Sequence, residues 1–122
     1  MGEPSQPRDD LREWDYGEYE GLTTPEIHER RQGWNLWRDG CPGGETAADV
    51  GVRADRVVAE VRAADGDCIA FGHGHMLRVL TARWLALPPE DGALFALGTG
   101  TLSTLSYERE TPVILRWNEA PA

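Results

Sequence analysis

The sequence predicts an α/β fold, and three observations carry that prediction. Residues 46 to 64 place Val50, Ala54, Val57, Val58 and Val61 on one helical face, and residues 75 to 87 do the same with Leu77, Leu80, Trp84 and Leu85. Between the two lies Cys68-Ile69-Ala70-Phe71-Gly72, a short apolar run that reads as a buried strand. After them, residues 101 to 108 and 112 to 118 alternate as strands do. Helix, strand, helix, strand, strand is an α/β order.

Each element has local reasons. Residues 1 to 10 are polar, contain two prolines and read as a flexible arm, which leaves 11 to 122 as one domain. "LREWDYGEYEGLT", residues 11 to 23, has neither period and reads as an ordered loop. "TPEIHERR" opens a short helix with Thr24 as cap, Pro25 in the first turn and Glu26 at the positive end of the dipole. Residues 34 to 40 add a turn that stops at Gly40, and "CPGGE" is a tight connection. Thr46 and Asp49 have the spacing of a capping box, and "AADGD" ends the long helix they start. The run at 68 to 72 is apolar on both faces, which suits the middle of a sheet covered by helices. Such a strand needs neighbours on both sides, and the chain offers few. "LPPEDG" terminates the next helix, and "ERET" joins the last two strands without the favoured Asn-Gly turn.

The charge narrows the function. The formal charge is −9, and all 12 cations are Arg. So negative a chain is repelled by a phosphate backbone, which argues against nucleic acid and anionic membranes as partners. A few Arg can still line a local pocket for a small anion. No apolar run is long enough to span a bilayer, and "MGEPSQPRDD" has no apolar leader core. Cys41 and Cys68 are too few for a disulfide framework and read as reduced thiols of a cytoplasmic protein.

Chemistry concentrates in "AFGHGHMLRVL", residues 70 to 80, which holds two of the three histidines. His73 stands where a strand ends and a helix begins, the place where open α/β sheets bind ligands. The free N–H groups of a helix start attract anions, and Gly72 and Gly74 let a bulky anion approach the backbone. Two readings fit His73: a donor to a phosphoryl oxygen, or a structural histidine in a tight turn. His73 and His75 form an H-x-H pair, but a metal site needs three or four ligands. The remaining histidine, His28, lies on a polar helix and reads as a solvated surface group, so no metal is expected. Glu13 lies between Leu11, Trp14 and Tyr16, and apolar neighbours would favour the protonated form that a general acid needs. An ordinary solvated acid is the alternative. Glu45 and Arg53 flank the long helix and read as a structural ion pair.

Three stretches in this order, "LREWDYGEYEGLT", "PGGET…R" and "FGHGHMLR", resemble the later part of a histidine phosphatase of the phosphoglycerate mutase-like superfamily, and most resemble its bacterial acid and broad-specificity phosphatases. The match runs from Leu11 to Asn118. It implies a three-layer α/β/α fold and phosphomonoester hydrolysis without metal or cofactor, through a phosphohistidine. It implies that Glu13, in "L-x-E-x-x-x-G", donates a proton to the leaving group and later helps the water. It implies that His73 holds phosphoryl oxygens beside the Gly74 backbone, with His75 an adjacent substrate-pocket residue. The small partner it implies is a phosphorylated metabolite. One departure matters. The family's nucleophile lies in an "R-H-G" motif after a first strand, and this sequence has no R-H-G. The resemblance therefore implies the C-terminal portion of such a domain, without the N-terminal strands, inactive alone and open to association through exposed sheet edges. A rival reading is a non-catalytic protein of that fold that binds phosphorylated ligands or another chain; a purely structural domain is a third. Phosphatase is preferred to mutase because no bisphosphate clamp is evident, and neither substrate nor oligomeric state follows from the sequence.

Overall fold

The computed structural model describes residues 5–121. Of the flexible arm expected over 1 to 10, residues 1 to 4 lie outside the described residues. The rest is partly docked. A 3-10 turn covers Asp9–Leu11, the Arg8 side chain pairs with Glu60 at 2.6 Å, and Arg56 reaches Asp10 at 3.3 Å. Two acids in the first turn of that short helix suit its positive end. The ordered loop expected at 11 to 23 is ordered through its aromatics: Trp14 is 1% exposed and Tyr19 is buried.

Helix α1 spans Thr24–Arg30 and α2 spans Leu36–Asp39. The N-cap of α1 is Thr23 rather than the expected Thr24. Thr23 and Glu26 exchange backbone and side-chain bonds as a capping box, and only a threonine three residues before Glu26 can do so. Asn35 caps α2 by accepting from the Trp37 and Arg38 N–H groups, and Gly40 closes it with φ +64°. Helix α3, Ala47–Ala63, starts from the expected Thr46–Asp49 capping box. Its Val50, Ala54, Val57 and Val58 are buried, while Val61 is half-buried. Helix α4 spans Gly74–Trp84, shorter than the expected 75 to 87 at its far end. Ala86, at φ +60°, turns the chain there, and a 3-10 segment over Pro89–Leu94 follows. The buried face of α4 is Met76, Val79, Thr81, Ala82 and Trp84. The expected Leu77, Leu80 and Leu85 are half-buried, one step around the helix.

The sheet is small. Strands β1, Leu102–Glu108, and β2, Thr111–Glu119, form an antiparallel hairpin that closes on the Glu108–Thr111 pair. Arg109 takes φ +59° in the turn, the conformation that an Asn-Gly turn would reach without strain. Trp84 ties the hairpin to α4: its Nε1 donates to the Ser106 carbonyl at 3.2 Å, and its ring lies 5.0 Å from that of Tyr107.

The buried strand expected at 68 to 72 is corrected. Those residues form no ladder, and Ile69 and Phe71 are 78% and 77% exposed. A strand is defined by its partner, and the hairpin, the only sheet among the described residues, does not pair with this segment. The core lies instead between α3, α4 and the 14–41 loops, where Trp14, Tyr19, Ile27, Leu36, Cys41, Val50, Ala54, Met76 and Val79 pack together. Each large apolar side chain buried there contributes roughly 1.5–3 kcal/mol.

Candidate active site at the start of helix α4

The first turn of α4 lacks a cap of its own. His73 is its N-cap, yet the imidazole makes no capping bond. The missing acceptor comes from Glu13, some sixty residues earlier. Glu13 Oε1 accepts from the Met76 N–H at 2.9 Å and from the Trp14 N–H at 2.9 Å, and Oε2 accepts from the His75 N–H at 3.2 Å. A carboxylate at this position satisfies helix donors that have no partner within the helix and lies at the positive end of the dipole. The structure thus brings three expected site positions, Glu13, His73 and His75, to one helix end. His73 is exposed, and the Gly74 Cα faces open space on the side where a Cβ would project. Nothing among the described residues accepts from the Gly74 N–H.

His75 packs into an aromatic wall. Its Nδ1 lies 2.6 Å from the Tyr16 hydroxyl, and one hydrogen is shared between them. Its ring stands edge-on to Tyr16, Trp37 and Trp14, with centroids 5.8, 5.6 and 6.3 Å away. Burial lowers the His75 imidazole below the usual histidine range; the Glu13 charge opposes that shift and Arg78 adds to it. Burial, reinforced by the charges of Glu13 and Glu20, raises the Tyr16 phenol well above its ordinary value. The pair is therefore a neutral phenol and a neutral imidazole at pH 7. Sequence reasoning missed Tyr16. The available signal was a lone aromatic inside an acidic loop, which is weak.

A cavity of about 480 Å³ opens beside this pair, lined by Tyr16, Tyr19, Leu22, Trp34, Trp37 and His75 among others. Cys41 also lines it; burial, then the charges of Asp15 and Glu20, push its thiol up to about 11. His28, expected as a solvated surface group, is exposed at the cavity's edge, but its Nε2 is held 2.9 Å from the Trp34 carbonyl. Arg78 stacks over Trp37 at 4.9 Å and donates to the Gly92 and Ala93 carbonyls. Among the described residues, no three His, Cys, Asp or Glu side chains cluster as metal ligands would. No helix there is long and apolar enough to cross a membrane.

A family model for the "Histidine phosphatase superfamily (branch 1)" matches residues 1–120. An acid phosphatase of Mycobacterium tuberculosis is 43% identical over 100 residues, which make up 80% of this chain and 49% of that protein. A solved structure of an open reading frame of Mycobacterium tuberculosis superposes with a TM-score of 0.85 at 38% identity, covering 88% of this chain and 57% of that one. A mycobacterial glucosyl-3-phosphoglycerate phosphatase, solved in complex with vanadate, superposes with a TM-score of 0.77 at 28% identity, covering 91% of this chain and 61% of that one. The chain spans about half the length of the acid phosphatase it matches.

Proposed function

Since the chain belongs to the histidine phosphatase superfamily (branch 1), we propose that it carries the acid and phosphate-holding half of a phosphomonoesterase site that works without a metal or cofactor. The observation that supports this most is the Glu13 carboxylate seated on the first turn of α4, whose cap is His73. In this reading His73 donates to a phosphoryl oxygen, and the Gly74 N–H and the helix dipole hold a second one. An arriving dianion competes for the N–H groups that Glu13 now occupies. As general acid, the Glu13 carboxyl passes a proton to the leaving-group oxygen as the ester bond breaks. When water attacks the phosphohistidine, Glu13 takes a proton back. His75, held by Tyr16, is a pocket wall against which the organic part of a small phosphorylated metabolite rests. The free thiols at Cys41 and Cys68 suit a cytoplasmic setting.

The nucleophile is the part this chain lacks, since it has no R-H-G. Alone it is expected to be a poor phosphatase, because removing the nucleophile of a concerted site removes most of the rate enhancement. A second reading, a phospho-ligand-binding or interaction protein of the same fold, draws on the exposed apolar segment at 68 to 72. Two measurements on the purified chain test these readings. Orthophosphate should shift the backbone resonances of His73 to His75, and Glu13→Gln should alter that shift. Hydrolysis of an aryl phosphate in the presence of a chelator should be near background. Robust turnover that is lost in His73→Ala would overturn the assignment and make His73 the nucleophile. Absence of any phosphate-dependent shift would sink the phosphate-holding role and phospho-ligand binding alike.

A further inference from the structure

Arg53 is a cation in the wrong place for a surface helix. It lies in the middle of α3, is 3% exposed, and sits on the same face as Val50, Ala54 and Val57. Its Nε and Nη2 donate to Glu45 Oε2 and Oε1, both at 2.9 Å. The fork then continues past the ion pair. Nη1 donates to the carbonyls of Asp10 at 2.8 Å and Arg12 at 2.9 Å, and Nη2 reaches the Glu13 carbonyl at 3.4 Å. Nη1 also lies 3.6 Å from the sulfur of Met76. One guanidinium therefore touches both residues joined by the Glu13–Met76 bond.

Glu45 grips the next residues of the same loop. Its Oε1 accepts from the Asp15 N–H at 2.9 Å, its own N–H donates to the Asp15 carbonyl at 2.8 Å, and its carbonyl accepts from Trp14 Nε1 at 2.9 Å. The two backbones pass so close that a Cβ on Gly44 would run into the Asp15 carbonyl, and one on Gly17 into the Pro42 carbonyl. Residues 10 to 15 are thus held by one ion pair, Arg53 at residues 10, 12 and 13 and Glu45 at residues 14 and 15.

We propose that Arg53 and Glu45 are positioning residues for Glu13: they set the loop so that its carboxylate meets the start of α4. The inference rests on the role given to Glu13 above. A buried ion pair is a poor source of stability, because desolvation offsets its attraction and apolar residues would serve as well. An apolar pair could not hold three successive-region carbonyls at fixed directions. Arg can, because its planar fork fixes the angles between its donors.

The test uses the whole 122-residue chain, isotopically labelled, as Arg53→Lys, Glu45→Gln and, as a control, Arg83→Gln, which loosens a surface pair with Asp55. Amide exchange is followed at Trp14, His75 and Met76, the donors to Glu13, and at Val57 and Val58 in α3. Arg53→Lys keeps the charge opposite Glu45 but loses the fork. It should quicken exchange at the three donors by roughly tenfold relative to α3, while far-ultraviolet circular dichroism stays unchanged. Glu45→Gln should do so more weakly, and Arg83→Gln not at all. Equal acceleration at all five positions, or none at the donors, would show a scaffold role only and overturn the proposal. If Arg53→Lys fails to fold, Glu45→Gln decides alone by the same ratio. Failure of the Glu13 role would look different: orthophosphate would leave His73 to His75 unmoved in the wild-type chain while the exchange pattern still followed Arg53.

Discussion

The loop at residues 10 to 22 and the segment at residues 65 to 73 are both irregular, yet they are opposite kinds of structure. The first is stitched to two helices by side chains: Trp14 is buried, Glu13 caps α4, and Arg53 and Glu45 take up its carbonyls and N–H groups. The second leaves Ile69 and Phe71 in water and forms no ladder. Hydropathy would rank them the other way, since 68 to 72 is the more apolar run. Burial follows from partners more than from the apolar content of a segment. A mixed polar and aromatic loop is fixed when buried donors meet its carbonyls, and an apolar run stays exposed when no neighbour offers a ladder.

That contrast can be broken most severely at its ends. Trp14→Ala should lower the unfolding free energy by about 3–5 kcal/mol, whereas Phe71→Ser should change it by less than about 0.5 kcal/mol. Urea unfolding of both variants measures this, and comparable losses would mean that the 68 to 72 segment is packed in solution. The two cysteines extend the same comparison: Cys41 lies in the core that the first loop packs against, and Cys68 lies in the exposed segment. Cys41 is buried with its thiol pushed up to about 11, and Cys68 is exposed. At pH 8, iodoacetamide should alkylate Cys68 on the order of a hundred times faster, as read by mass spectrometry of the native chain.

A smaller effect is expected at the Tyr16–His75 contact. Tyr16→Phe removes a buried hydrogen bond and should cost about 1–2 kcal/mol. His75 also gives the stability a pH dependence. Its folded value is lowered by burial, so the unfolded chain binds the extra proton more readily. The contribution is complete above the ordinary histidine range near pH 6.5 and is lost as pH falls below it. Unfolding curves at pH 7.5 and pH 5 should show that loss in the wild type and a smaller one in His75→Gln. The smallest expected effect is at the outer face of the exposed segment: Ile69→Ser should leave stability unchanged but reduce any concentration-dependent association seen by sizing.

What the sequence could disclose followed the range of the interactions. Helix α3 and its Thr46–Asp49 box were legible because a capping box is written within four residues. The α1 cap slipped by one between adjacent threonines, although counting three residues back from Glu26 reaches Thr23. The hairpin was legible from alternation, despite Arg109 in the turn. The 68 to 72 strand was not, since its state depends on a neighbour and not on its own residues. Within the site, Glu13 and His73 stood out by motif, and the superposed relatives support that fold. The bond from Glu13 to the His75 and Met76 N–H groups could not be read in advance, because nothing local joins residue 13 to residue 76. The same holds for Arg53, whose spacing from Glu45 suggested an ion pair but not the three loop carbonyls beyond it.

Two indoles and one imidazole meet at the aromatic wall: the Trp14 and Trp37 rings stand edge-on 5.4 Å apart, and His75 is near both. An imidazolium quenches indole emission by accepting an electron from the excited ring, and a neutral imidazole does so far less. Gain of a proton by His75 should therefore dim the indole emission of the protein. Two of the five tryptophans thus carry a label-free signal of the proton on His75, and a fluorimeter can follow it.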